Sequence, residues 1–400
     1  MKILMVHNRY RSTAPSGENR VVDQESEALT AAGHSVRHFE RNSDDIEDWP
    51  ALKKATLPAR VVWSRASRYD LARDLFRHRP DVVHIHNTFP LLSPSVLYAC
   101  RRAAVPAVIT LHNYKLLCAS GDFFRDGKVC HNCAGGNPVS GVVHRCYRGS
   151  ALATATTVLN TRGHRGSWRG LVSAYIFISE SQRRLMAGMA FDPDRTFVKH
   201  NIVPYDGPFD GARQRQVTYV GRLDTAKGAP LLMKGWDAYR ATAGDDALRL
   251  VIAGGGPMLD EVTSWAADRP SVELRGLISK PDVFKLISES RAVVLPSEWE
   301  ETFGLVVVEA MAAGVPPLAS GHGSFPSLIA DGVDGALFEP GSPDALGRLL
   351  RDVDADPDRY TRLGRQARKT YETHHQIDQN VEQLLDIYRF AVANPVSADR

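Results

Sequence analysis

Short apolar runs recur along the whole chain, each closed by Gly, Pro or a polar turn and separated from the next by longer stretches with helical spacing. Residues 2 to 7, 81 to 86, 106 to 112 and 174 to 179 are the clearest in the first half; Val217–Val220, Leu248–Ile252, Val272–Leu274 and Ala292–Leu295 follow in the second. Runs this short and continuously apolar predict strands buried on both faces, and their alternation with helical segments predicts parallel sheets flanked by helices. The pattern breaks at Pro204-Tyr205-Asp206-Gly207-Pro208, where Pro and Gly punctuate the chain and no apolar period crosses. The expected organisation is therefore α/β, with one Rossmann-like domain over residues 1–205, a linker over 206–214 and a second such domain over 215–375. The stretch 376–400 contains apolar residues at helical spacing from Val381 to Val392 and is expected to form a helix.

A length of 400 residues with 43% hydrophobic composition suits two sizeable cores and exceeds one ordinary open-sheet domain. The formal charge of +3 hides an asymmetry: residues 1–205 hold 28 Lys and Arg against 17 Asp and Glu, the remainder 21 against 29. Between 127 and 179 there is no acidic residue, while Lys128, Arg145, Arg148, Arg162, Arg165 and Arg169 are present with Tyr147 and Trp168 among them. Such a surface attracts anionic lipid headgroups or a phosphate-bearing acceptor, or is an ordinary solvated basic face. No nucleic-acid-binding motif accompanies these cations, so nucleic acid is not an expected partner. Met1-Lys2 leads directly into a first strand, Ile3-Leu4-Met5-Val6, and no apolar run approaches the ~20 residues of a membrane span. A cytoplasmic protein is expected, able to sit at the inner face of the membrane.

Candidate chemistry concentrates in Pro296-Ser-Glu-Trp-Glu-Glu-Thr-Phe-Gly-Leu-Val-Val-Val-Glu-Ala-Met-Ala-Ala-Gly314. After a buried strand, the start of a helix offers backbone N–H groups and a positive dipole to a diphosphate; here those are the amides of Phe303, Gly304 and Leu305. Glu301 before the helix and Glu309 two turns into it are placed to hold neutral hydroxyls on either side of a bound nucleotide sugar. Taken as a bare pair, two glutamates there satisfy only a helix dipole and a helix propensity. Gly221-Arg222-Leu223-Asp224-Thr225-Ala226-Lys227-Gly228 follows another strand, where Arg222 and Lys227 can neutralise a pyrophosphate or simply be exposed cations of a turn. Ala253-Gly254-Gly255-Gly256-Pro257 falls short of a dinucleotide fingerprint and reads as a tight turn. In the first half, His112 ends the run Val108-Ile-Thr-Leu-His112, and His84 and His86 share one side of the preceding strand as supporting residues.

Glu301-Thr-Phe-Gly304 and Glu309-Ala-Met-Ala-Ala-Gly314 closely resemble the nucleotide-sugar signature of retaining glycosyltransferases of the large family that includes sucrose synthase and the bacterial phosphatidylinositol mannosyltransferases. The resemblance covers nearly the whole chain and is strongest from 216 to 340. It implies the GT-B architecture, two Rossmann-like domains facing each other across a cleft. It also implies transfer of a sugar, with retention, from a nucleoside diphosphate sugar to a hydroxyl of a glycan or lipid-linked acceptor in polysaccharide or lipid-linked glycan synthesis. By that resemblance Arg222 and Lys227 stabilise the leaving diphosphate, Glu301 positions the sugar, Glu309 binds ribose, and backbone at Gly276-Leu277 meets the nucleobase. His112 would act on the donor sugar or reacting centre, and Gly17 would belong to the phosphate and acceptor loop together with Gly221 on the donor side. The loop Ala14–Asn19 keeps only one of the family's paired glycines, and Ser327 stands where many relatives have a glutamate.

Four of the five cysteines, Cys118, Cys130, Cys133 and Cys146, fall in one insert at about 114–149. A Cys-x2-Cys centre flanked by a cysteine on each side has the spacing of a structural zinc site; an iron–sulfur cluster or unligated thiols use the same pattern. No cofactor is expected for the reaction itself. Asp352-Val353-Asp354 has a metal-binding spacing but reads as a solvated helix end. Two other classes fit some of the residues. A noncatalytic nucleotide-sugar or glycan-binding protein would share the fold and dispense with the cations, and a glycoside hydrolase would use paired carboxylates with no need of them.

Overall fold

The computed structural model describes residues 1–12, 17–205, 207, 213–243 and 247–396. Two compact units emerge: the first comprises Met1–Phe123, Cys130–Ile202 and Ile377–Arg400, the second Phe124–Val129 and Val203–Gln376. Ala14, Pro15 and Ser16 of the first loop lie outside the described residues.

The first unit is built on β1 (Lys2–Arg9), β2 (Ser35–Asn42), β3 (Val82–Asn87), β4 (Ala107–Leu111), β7 (Ala174–Phe177) and β8 (Thr196–Val198); the two-stranded ribbon of the insert, β5 (Phe124–Arg125) and β6 (Lys128–Val129), is grouped with the second. The six sheet strands run parallel in the order β2-β1-β3-β4-β7-β8. Alternation along β1 shows why both faces must be covered: Leu4 and Val6 join one buried cluster, Ile3 and Met5 another. The second cluster is completed by Val381, Leu384, Leu385, Ile387, Tyr388 and Ala391 of the last helix, Ile377–Ala393.

The second unit holds β9 (Gln216–Val220), β10 (Arg249–Ala253), β11 (Val272–Gly276), β12 (Ala292–Leu295), β13 (Pro317–Ser320) and β14 (Ala336–Phe338). They are again all parallel, in the order β11-β10-β9-β12-β13-β14. The strand order reverses between β9 and β12, and beyond the carboxyl ends of two such neighbours a doubly wound sheet forms its ligand crevice. The Arg222 loop leaves β9 and the Glu301 loop leaves β12, so the fold brings the two motifs together. Asp354 is not a solvated end: it is 14% exposed and binds Arg215 at 3.0 Å and the Tyr239 hydroxyl at 2.7 Å. Its helix, Pro343–Ala355, packs on the helix Ala229–Ala243, which carries Tyr239, and this turns the carboxylate inward.

Candidate functional site

At the switch point of the second sheet the two loops interlock through their backbones. Gly228 has φ +76°, and a Cβ there would lie 1.7 Å from the carbonyl oxygen of Pro296. Gly254 and Gly256 make equally close approaches: their Cβ atoms would meet the carbonyls of Gly221 at 1.8 Å and Leu223 at 2.4 Å. The glycine run after β10 is thus a packing surface for the Arg222 loop, as its reading as a tight turn anticipates. Within that loop Asp224 accepts from the Lys227 amide at 2.8 Å and forms an ion pair with Arg222 Nε at 3.1 Å, and Tyr219 donates its hydroxyl to the Arg222 carbonyl at 2.7 Å. Arg222 itself is 67% exposed, a charge available to solvent anions.

Lys227 Nζ reaches Glu301 Oε1 at 2.5 Å and lies 5.0 Å from the Trp299 ring centroid. The same Glu301 oxygen accepts from Ser297 Oγ at 2.9 Å, and His322 Nε2 meets the Ser297 carbonyl at 2.7 Å. Glu301 is almost fully buried, so its ion pair with Lys227 and its serine hydrogen bond offset the cost of desolvating it. Gly304, with φ +93°, is the N-cap of the helix Leu305–Ala312 and has no side chain to cap the first turn; a Cβ there would sit 2.7 Å from the Phe325 ring. Phe303 is buried beside it, and Ser324 Oγ donates to the Phe303 carbonyl at 2.7 Å. Glu309, in the second turn, is buried and ion-paired with Lys280. Lys280 opens the helix Lys280–Ser288, whose N-cap Ser279 follows the Gly276-Leu277-Ile278 segment; Gly276 has φ +62° and Leu277 is 76% exposed.

The structure therefore joins Arg222, Lys227, Glu301, Gly304 and Glu309 in one unit, and adds Lys280, Asp224, Ser297 and His322. Sequence reasoning missed Lys280 because nothing marks a lysine 29 positions before Glu309 as its partner. Its place, directly after a serine N-cap at the end of a candidate base-contacting loop, is the one available signal.

In the first unit His112 follows β4 at the edge of a small cavity of about 50 Å³, shared with His86, Asn113 and Lys115. Its Nε2 lies 2.9 Å from His86 Nδ1, the two rings stacked at 5.2 Å. Burial, then the charges of neighbouring histidines and Lys199, hold both imidazoles well below the ordinary histidine range, so both are neutral at pH 7. Gly17 opens the helix Gly17–Ala31 after β1, and that helix also delivers Glu18, Asn19 and Glu25.

Set beside known proteins, residues 210–370 match the family model described as Glycosyl transferases group 1, and residues 16–201 match that of the Glycosyl transferase 4-like domain. The chain belongs to the GT-B glycosyltransferases of this family 4-like group. It is 25% identical to a glycogen synthase of Mycobacterium tuberculosis, over 92% of this chain and 90% of that protein. A D-inositol 3-phosphate glycosyltransferase of Corynebacterium glutamicum is 32% identical over 54% of this chain and 56% of its own. Among solved structures, Anabaena Alr3699/HepE in complex with UDP-glucose superposes with a TM-score of 0.66, at 16% identity, covering 96% of this chain and 98% of that one.

Beside His112 in this glycosyltransferase stands a second polar cluster that the sequence did not signal. Burial pushes the Glu18 carboxyl up to about 8, although Tyr10 donates to it at 3.2 Å, and burial pushes the Lys115 ammonium down to about 8. A carboxyl whose folded pKa is raised gives stability that is whole below its unfolded value and is lost as pH climbs through the folded one. Glu18→Gln is accordingly expected to leave the melting temperature unchanged near pH 4 and to raise it progressively as pH passes from about 4.5 to about 8. A constant difference between the two proteins across that range contradicts the assignment.

Among the described residues, the group of metal-ligating side chains whose ligand atoms all lie within 4.8 Å of one another is Glu25, His84 and His86, and it contains no cysteine. Cys118 and Cys133 are buried, Cys130 and Cys146 half-buried. Among the described residues no helix is long and apolar enough to cross a membrane.

Proposed function

We propose that this glycosyltransferase moves a hexosyl group from a nucleoside diphosphate sugar to a hydroxyl of a glycan or lipid-linked acceptor, with retention of anomeric configuration, in cell-surface polysaccharide or lipid-linked glycan synthesis. The observation that carries the reading is the Arg222, Lys227 and Glu301 arrangement at the switch point of the second sheet. As the sugar–phosphate bond breaks, negative charge grows on the departing diphosphate, and cations already fixed by Asp224 and Glu301 stabilise that charge more in the transition state than in the ground state. Glu301 accepts from a sugar hydroxyl, Glu309, held by Lys280, accepts from the ribose, and the Gly276-Leu277 backbone meets the base. His112 of the first unit acts at the reacting sugar. The UDP-glucose complex of the Anabaena protein supports a nucleotide-sugar donor. Once a donor turns over, the anomeric proton coupling of the first-formed product tests retention: the donor's configuration is expected, and the opposite one overturns it.

The acceptor-side surface supports a membrane-adjacent setting. Val139, Val143, Leu152 and Leu159 are exposed within the stretch that holds six cations and no acidic residue, the combination that binds anionic bilayers. Sedimentation with phosphatidylglycerol vesicles is expected to carry the protein down, whereas phosphatidylcholine vesicles leave it in solution; equal partition refutes the setting. A zinc ion held by Cys118, Cys130, Cys133 and Cys146 would serve only to order the insert, and requires the sulfurs to draw together. Metal analysis of purified protein is expected to find one zinc per chain; its absence removes the zinc from the account.

A further inference from the structure

Behind His112 lies a chain of buried polar groups that no motif of the family reading assigns. His112 Nε2 stands 2.9 Å from His86 Nδ1, and His86 Nε2 stands 3.6 Å from Glu25 Oε2. The other Glu25 oxygen accepts from Lys199 Nζ at 2.8 Å, and Lys199 also donates to Asn380 Oδ1 at 2.8 Å on the last helix. His84 flanks the chain: its Nδ1 meets the Tyr388 hydroxyl at 2.7 Å and its Nε2 meets Thr110 Oγ1 at 2.7 Å. Glu25, His86 and Lys199 are all shut off from solvent.

The buried charge of Glu25 favours one arrangement of protons along this line. The Lys199 ion pair makes Glu25 an acceptor only, so the nearest group to its second oxygen must present a proton. Neither Glu25 Oε2 nor His86 Nε2 has a hydrogen-bond partner, and at 3.6 Å the carboxylate charge favours the tautomer that turns an N–H of His86 Nε2 toward it. The reverse arrangement would set an imidazole lone pair against a carboxylate in a dry interior. A neutral His86 with its proton on Nε2 has a bare Nδ1, which can only accept; the proton between the two rings therefore belongs to His112 Nε2. His112 is then left with an unprotonated Nδ1. We infer that Glu25 and His86 are positioning residues for His112, fixing its tautomer so that Nδ1 is a hydrogen-bond acceptor for a sugar hydroxyl and not a proton donor to the leaving group. Burial of both rings, which keeps them neutral, is consistent with a fixed tautomer in place of an imidazolium. The Glu25, His84 and His86 cluster has metal-binding spacing, yet Lys199 Nζ already supplies the cation that Glu25 needs.

This inference rests on the transferase reading for the role of His112, but its test does not require turnover. Long-range proton–nitrogen correlation spectra of histidine-labelled protein read the tautomer directly. In the wild type the His112 signal is expected with its proton on Nε2 at neutral pH; a proton on Nδ1 overturns the proposal outright. Glu25→Gln is expected to release the tautomer, with population appearing at Nδ1–H. Glu25→Gln with Lys199→Met keeps the interior free of an unpaired charge should the single variant unfold. An unchanged His112 spectrum in a folded form of either variant also overturns it. Loss of transfer in the variants with the tautomer intact would fault the assigned role of His112 and leave the donor site of the second unit untouched.

Discussion

Lys227→Ala is expected to slow transfer by about 10²- to 10³-fold, the loss that follows removal of one fixed donor to developing negative charge. Arg222→Ala should lose activity of the same order for the same reason, and the pair separates chemistry from folding. Arg222 is largely exposed and its Asp224 contact is screened by water, so its removal should leave the melting temperature within the small range usual for surface changes. Lys227 pairs with a Glu301 that is only 6% exposed, so its removal also leaves a buried carboxylate without its cation and should lower the melting temperature. Single-turnover rates with enzyme in excess over donor and with acceptor saturating, alongside thermal melts, make the comparison. Full activity in either variant would remove that cation from the site.

The second large effect concerns stability. Lys199→Met takes away the cation that pairs with Glu25 in the dry interior of the first unit, where removing one partner of a buried ion pair costs about 3–5 kcal/mol. For a unit of this size a loss of that order lowers the melting temperature by roughly 10 °C. Lys199 also binds Asn380, so the last helix, Ile377–Ala393, should loosen from the sheet first and exchange its amides faster. Adding Glu25→Gln to Lys199→Met should recover much of the loss, because the uncompensated charge is then gone. A single variant that melts with the wild type would show that the pair contributes nothing net.

These two results draw on parts of the molecule that differ in how far the sequence disclosed them. The strands at the centre of each sheet are apolar throughout because they are covered on both faces, and β3, β4, β9 and β12 fall within a residue or two of the runs that predicted them. β2, Ser-Val-Arg-His-Phe-Glu-Arg-Asn, is an edge strand with half its surface wet, so its polar residues hid it. β13, Pro-Leu-Ala-Ser, has no β-branched residue and ends on a polar one, and β14, Ala-Leu-Phe, is only three residues long, so neither stands out as an apolar run. Arg222, Lys227, Glu301 and Glu309 were legible because motif spacing places them at strand ends, where the fold dictates that ligands bind. The pairings among them were not: Lys227 meets Glu301 across 74 residues and Lys199 meets Glu25 across 174, separations fixed by strand order and by the returning helix, to which no local pattern responds.

The claim on which the account turns is that the second unit binds a nucleoside diphosphate through Arg222 and Lys227. A ligand that binds only the folded state raises its stability by about 2.7 kcal/mol at a hundredfold excess over Kd. Thermal shifts with UDP, GDP, ADP, dTDP and NAD, measured on the wild type and on the Arg222→Ala, Lys227→Ala double variant, put this to the test. The account predicts that one nucleoside diphosphate stabilises the wild type and leaves the double variant unmoved. Equal stabilisation of both proteins, or a response to NAD alone, would contradict it.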